Sequence, residues 1–344
     1  MRSARGERKK RATAGTAGVI KDNSSGAGPA TVLTVNQAGT TTFDGVIANG
    51  PDRAVGLKKT GAGTLTLAGS SQNSYSGITT ITGGVLTPAK TGVNAIAGDV
   101  QIGDASGSDV LLLGASDQIA DTSALTFTAG GSGNSAFFHL NGFDETIKGI
   151  QTTVGAAAVI ANNAASGFST LTIDTAGSDY TYDGIIRNGA AGLMAITKAG
   201  AGTLTLANTA TVVATNYTGE TILNDGKLVL SNLNAFTSPI TINSAAADAL
   251  TFNQTSRDLT MGAPISGTGG LTVNAGSRTL TLTGGNGGFG GLVTLNSGTL
   301  GIGANGALGF GPITINGGII RAVNAARVIT NDVTVNGSFT LGKR

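Results

Sequence analysis

Cysteine is absent from the chain, and so is tryptophan. Without cysteine there are no disulfides, no thiolate metal sites and no cysteine nucleophile. Aromatic residues make up only 4% and charged residues only 12%, about half the usual share of charge for a globular domain. A large aromatic core and a densely ion-paired surface are both excluded. No apolar run approaches the roughly 18 residues of a membrane-spanning helix, and "VLLLGA" and "AAAVIA" have the length of buried strands. Histidine occurs once, at His139. Stretches rich in Glu and Lys at helical spacing are missing too, so no long helix is expected.

Glycine is abundant, with 56 of 344 residues, and mean hydropathy is positive at +0.18. That composition does not belong to a disordered chain. Thr, Val, Ile and Leu favour strands, and the recurrent Gly and Asn favour turns.

Charge is uneven. "MRSARGERKKR" at the start holds six basic residues and one acid, leaving 15 basic and 18 acidic residues in the remainder. The high isoelectric point therefore belongs to the tail. Residues 1–30 are predicted to be a basic, small-residue, disordered tail, and residues 31–344 a repeat region. A basic patch is suited to nucleic acid or an anionic membrane, but a short basic run alone reads as a solvated end, and no nucleic-acid partner is expected. The segment after the basic run is small and polar rather than apolar, so it does not complete a secretion signal.

Self-similarity is the dominant feature. "TFDGVIANG" (Thr42–Gly50) recurs as "TYDGIIRNG" (Thr181–Gly189), and "KTGAGTLTLA" (Lys59–Ala68) recurs as "KAGAGTLTLA" (Lys198–Ala207), both 139 residues later. Tyr75-Ser76-Gly77 recurs as Tyr217-Thr218-Gly219 after an insertion of three residues. A weaker third copy runs through "TLTLTGG" (Thr279–Gly285) and "LVTLNSGTL" (Leu292–Leu300).

Beneath this lies a shorter unit, apolar–Thr–apolar–Asn/Asp. Examples are Leu33-Thr34-Val35-Asn36, Leu171-Thr172-Ile173-Asp174 and Ile313-Thr314-Ile315-Asn316. Alternation at period two puts both apolar side chains on one face and Thr on the other. One such strand cannot bury its apolar face alone, whereas stacked copies bury a continuous column. The pattern predicts an all-β coil of roughly a dozen or more turns. An antiparallel β-sandwich, to which the "DG" and "NG" pairs are also suited, is the alternative.

Lys59 to Leu86, "KTGAGTLTLAGSSQNSYSGITTITGGVL", resembles the passenger-associated transport repeat, also called the autotransporter-associated β-strand repeat. The resemblance rests on Lys59-Thr60-Gly61-Ala62-Gly63-Thr64-Leu65-Thr66-Leu67, Tyr75-Ser76-Gly77 and Gly83-Gly84-Val85-Leu86. "APISGTGGLTVNAG" (Ala263–Gly276) and "ALGFGPITINGGIIRA" (Ala307–Ala322) are phrases of the same kind. It implies a right-handed parallel β-helix in a secreted, surface-exposed bacterial passenger, with repeats that aid secretion and folding at the outer membrane. Implied partners are a translocator barrel of the parent protein and surface glycans or other cell-surface components. Neither a complete signal nor a translocator barrel is recognisable, so the chain is expected to be a piece of a passenger, with end-to-end self-association as a further expectation.

β-Helices also carry polysaccharide lyases and hydrolases, whose chemistry needs converging carboxylates with Arg, Lys or His. No such set is visible, so no catalytic, cofactor or metal residue is assigned and no enzyme is expected. His139, beside Phe137 and Phe138, is expected to be structural. Asp44 and Asp183 precede Gly at equivalent repeat positions and are expected to form turns. Lys59 and Lys198 are expected to be solvated strand starts. Asp99, Asp104, Asp109, Asp117 and Asp121 lie close in sequence and offer oxygens suited to calcium, but their spacing fits no EF-hand loop. "GGNGGFGG" (Gly284–Gly291) lacks the Asp of a calcium-binding nonapeptide repeat.

Overall fold

A computed structural model describes residues 18–104, 106–128, 135–154, 158–207 and 215–343. The basic run at the N-terminus lies outside them. Among the described residues there are strands and turns but no helix. Every pairing between strands is parallel, which rules out the sandwich of antiparallel hairpins. The chain winds as a β-solenoid of about 13 turns.

Each turn visits three faces. The first face begins with Thr31–Asn36, Val55–Thr60, Thr79–Ile81 and Val100–Ile102, stacked in that order. It breaks once, between Gly149–Val154 and Tyr180–Tyr182, and resumes as Thr203–Ala207, Lys227–Ser231 and Leu250–Asn253. The second face carries Thr41–Phe43, Thr64–Leu67, Gly84–Pro88, Ser108–Leu112 and Ser135–His139. On the third face Glu145–Ile147, Phe168–Asp174, Leu193–Ala199 and Thr221–Leu223 form a regular ladder. Inside the region assigned to the tail, Val19–Ile20 pairs with Val46–Ile47 on this third face.

Period-two alternation does the sorting. In Thr64–Leu67 the two leucines are buried and the two threonines half-exposed. Thr79–Ile81, Thr221–Leu223, Ile240–Ile242 and Ile313–Ile315 all bury their outer two positions and expose the middle one. The inward side chains form one continuous apolar column from Ile47 to Ile320. A column built from nearest-neighbour stacking has no single centre, so its stability is distributed turn by turn.

Near the N-terminal end the third face thins to single bridges, Ala48 with Ser74 and Ile96 with Ile119. Buried asparagines supply the missing bonds. Asn73 accepts from the Ile47 amide at 2.9 Å and donates to the Ala95 carbonyl at 2.6 Å. Asn286 does the same between Ile265 and Ala307, at 2.8 and 2.6 Å. Each amide side chain therefore joins three turns, and no backbone group it touches is left unpaired.

The corner after Lys59 requires glycine. Gly61 has φ +74°, and an added Cβ would lie 2.5 Å from both the Asn36 Oδ1 and the Gln37 carbonyl. Gly200 repeats this at φ +70°, with Asp174 Oδ1 at 2.3 Å from the same hypothetical atom. Left-handed backbone and close approach of the turn beneath both exclude a side chain there.

The repeat is not in phase with the coil. The first copy puts Lys59 on the first face and Thr64–Leu67 on the second. The second copy puts Lys198 on the third face and Thr203–Ala207 on the first. The offset of 139 residues spans five turns and two further faces, so the same motif is rotated by one face about the axis. The third copy returns to the phase of the first, with Leu280 and Leu282 on the second face and Val293–Leu295 on the first.

Candidate functional site

Lys59 and Lys198 are not solvated. Both are fully buried. In Val55–Thr60 the inward positions are Val55, Leu57 and Lys59, while Lys58 points outward. The Lys59 stem lies in the apolar column and its ammonium reaches the corner. Nζ donates to the carbonyls of Thr60 at 2.9 Å, Gly61 at 2.8 Å and Gly83 at 2.9 Å. Lys198 Nζ donates to Ala199 at 2.7 Å, Gly200 at 2.6 Å and Asp225 at 3.1 Å. In both copies two acceptors belong to the lysine's own turn and the third to the next. Burial lowers the pKa of Lys59 and brings that of Lys198 down to about 8.

Lys90 is a third buried ammonium, which the sequence reasoning missed. Its Nζ donates to the carbonyls of Gly45 at 2.9 Å and Ala68 at 2.8 Å, in the two preceding turns. Alternation from Leu86 through Pro88 to Lys90 marks it as inward. Burial lowers its pKa too.

Two carboxyls are also buried. Glu145 accepts from the amides of Gln118 at 2.9 Å, Ile119 at 3.3 Å and Thr146 at 3.2 Å, and burial pushes it up to about 8. Asp109 is buried with one carboxyl oxygen lacking a hydrogen-bond partner. Burial, reinforced by Asp104, pushes it up to about 6. Its strand position is directly above Gly84, one turn beyond the Lys59 acceptors.

The remaining sequence candidates do not converge. His139 ends its strand pointing outward, with the Phe137 ring centroid at 5.2 Å and the Asn163 amide nitrogen at 3.0 Å. Burial, then Arg187, push it down to about 4, so it is neutral at physiological pH. Asp44 and Asp183 sit at corners five turns and two faces apart, roughly 25 Å along the axis at the usual strand spacing. Two carboxylates at that distance cannot share a reaction. Asp99 accepts from the Ala124 amide at 2.9 Å, and Asp104 from Ser106 at 3.0 Å. Asp117 and Asp121 lie exposed in turns near the third face. Among the described residues no three His, Cys, Asp or Glu side chains approach closely enough to hold a metal ion.

What the coil does present is a regular exterior. Thr251, Thr294, Thr314 and Thr334 lie outward in one register row on the first face, with Thr272 buried within the row. Beside them Asn274, Asn296, Asn316 and Asn336 form a side-chain ladder with amide-to-carbonyl distances of 2.9, 2.7 and 3.0 Å. The second face is different. There the row Val85, Val110, Phe137, Val159 and Ile185 is apolar over five consecutive turns, with all but the buried Val159 partly exposed.

Residues 57–87 and 196–230 match the model of the passenger-associated-transport-repeat family. These are the two segments that carry the buried Lys59 and Lys198. The chain is also 30% identical over 266 residues to an adhesin autotransporter, BmaC, of Brucella suis biovar 1 (strain 1330). That similarity covers 62% of this chain and 8% of the adhesin, so the chain spans a small part of that relative's length. No solved structure matches. Two segments wound into this β-solenoid thus match the passenger-associated transport repeat, and the chain is similar to part of an autotransporter adhesin.

Proposed function

We propose that this chain is a segment of a secreted passenger displayed at the bacterial cell surface and associated with the outer membrane. There it works as a stiff, non-catalytic rod whose exterior makes adhesive contacts, and its transport repeats aid secretion and folding. Support comes from the exterior together with the adhesin relative. Stacked Thr and Asn rows give periodic hydrogen-bonding groups on one face, and the Val85–Ile185 row gives apolar contact on another. Partners of matching chemistry are surface glycans or other cell-surface components. The translocator barrel of a parent protein is the partner for export. End-to-end self-association of such rods through strand edges is a further contact.

The full chain, fluorescently labelled, tests this on a glycan array and on intact host-type cells. Saturable binding that weakens when Thr294, Thr314 and Thr334, or Val85, Val110 and Phe137, are replaced by Lys supports adhesion. Release of new reducing ends from any polysaccharide on the array, or no binding to array or cells, overturns it.

A further inference from the structure

A chain written in one repeated phrase has a stacking problem. Apolar–Thr–apolar rows occupy all three faces: Leu33-Thr34-Val35 on the first, Leu65-Thr66-Leu67 on the second, Leu171-Thr172-Ile173 on the third. Rows this similar can exchange partners with little loss of apolar burial, and flat repetitive strands specify register weakly. The transport repeat makes the problem concrete, because its two copies already sit on different faces.

A buried ammonium is not exchangeable in this way. Lys59, Lys90 and Lys198 are each fully buried, and each finds its acceptors only at a particular corner. Lys59 needs Gly83 from the turn above, Lys198 needs Asp225 from the turn above, and Lys90 needs Gly45 and Ala68 from the two turns below. Carboxylates of other turns face each one: Asp109 for Lys59, Asp44 for Lys90, and Asp225, Asp174 and Asp179 for Lys198. In a coil shifted by one turn or one face Lys90 would lose both acceptors, and Lys59 and Lys198 would each lose the one acceptor that lies in another turn, while their charges stayed in the apolar column, an arrangement that is strongly disfavoured. In the third copy, which lies outside the family match, the buried positions leading to the corner are Leu271, Thr272, Val273 and Ala275, with no lysine among them, and the strand runs on through the corner as Leu271–Leu282.

We propose that Lys59, Lys90 and Lys198 are register keys, buried charges that decide which turn stacks on which while the coil forms. This goes beyond the surface role and does not depend on it. Replacing a satisfied buried charge by an apolar side chain of similar size is often neutral or stabilising, whereas the specificity it confers is lost. Lysine-to-methionine variants therefore separate the two effects.

The absence of cysteine makes register directly readable. Thr66 and Thr87 are outward register partners one turn apart, and because Leu86 pairs with the inward Leu111, the outward row continues at Leu112 a turn further. Thr66→Cys/Thr87→Cys reports the native stacking. Thr66→Cys/Leu112→Cys spans two turns, too far for a disulfide without movement of the backbone. Each pair is placed in the full chain, with and without Lys59→Met/Lys90→Met, unfolded, refolded and then mildly oxidised. With the lysines present, the first pair crosslinks and the second does not. With methionine, the refolded coil crosslinks the second pair at least tenfold more than before.

Thr205→Cys with Val229→Cys, and Thr205→Cys with Thr251→Cys, give the same readout for Lys198→Met on the first face. Methionine variants that refold with only the native pair reactive overturn the proposal. So do variants that cannot refold at either site, because the ammonium is then a source of stability and not of register.

Discussion

The Tyr75 hydroxyl lies 2.6 Å from Thr79 Oγ1 inside the coil, and Tyr217 repeats the contact with Thr221 at 2.6 Å. In the third copy the corresponding residues are Phe289 and Val293, both buried, so both hydroxyls are lost together. The pair behaves as a unit because a buried hydroxyl without its partner is costly. Tyr75→Phe alone is expected to destabilise the local turns by about 1–3 kcal/mol, and Tyr75→Phe/Thr79→Val to recover most of that. Tyr217→Phe should be milder, since Thr221 keeps Ser238 Oγ at 2.7 Å. Hydrogen exchange of the flanking strands measures each loss. Additive effects of the two substitutions would show that the contact is incidental.

Strand orientation has its own test. Leu65 is inward and Thr66 outward. Leu65→Asp removes about 2–3 kcal/mol of burial and adds an unpaired charge in the apolar column. Its turn and both neighbours should lose exchange protection. Thr66→Asp should change stability by no more than about 0.5 kcal/mol. Comparable losses from the two variants would contradict the assigned faces.

Strands and their stacking were legible because a period-two pattern admits one physical solution once copies can pile up. Leu65, Thr66 and Leu67 announce inward, outward, inward. The repeat offset was legible as well, but its meaning was not. Whether 139 residues close a whole number of turns depends on every strand and corner length between the copies, and the turn from Gly149–Val154 round to Tyr180–Tyr182 is longer than its neighbours. The buried lysines were misjudged for a different reason. Alternation from Leu57 to Lys59 marks the position as inward, yet a cation argues for solvent. What settles it is three carbonyls at the corner, one of them a turn away, and backbone acceptors leave no trace in a sequence pattern. Glu145 is missed on the same ground, and Asp109 enters only as one of five aspartates with oxygens suited to calcium, not as a buried carboxyl.

Glycines at the corners divide into two kinds. Gly61 and Gly92 both have left-handed φ, +74° and +68°, but an added Cβ meets Gln37 and Asn36 at Gly61 and nothing within 4 Å at Gly92. Gly92→Ala should cost only the backbone term, about 1 kcal/mol. Gly61→Ala carries that term and a collision with backbone, and should cost at least about 2 kcal/mol more. Thermal denaturation of the two variants separates them, and equal losses would mean that the turn beneath Gly61 moves freely aside.

Buried ionisable groups give the coil an unusual pH profile. Glu145 is held up to about 8, so the folded state favours its protonated form. Its contribution is complete below the ordinary carboxyl range and is lost as pH rises towards 8. Lys198 is held down to about 8, so the folded state favours its neutral form. That contribution is complete above the ordinary lysine range, near 10.5, and is lost as pH falls towards 8. His139, held down to about 4, acts only below about pH 6.5, where it makes stability fall with acidification and opposes Glu145. Between pH 6.5 and 8 the Glu145 slope stands clear of it. Stability should therefore pass through a minimum near pH 8, with Glu145 contributing on the order of a few kcal/mol on the acid side. Glu145→Gln should flatten that side and leave the alkaline rise, and Lys198→Met should do the reverse. Urea midpoints measured from pH 6 to 10 decide it: a maximum near pH 8 in the unmodified chain would mean that neither group is buried as its contacts indicate.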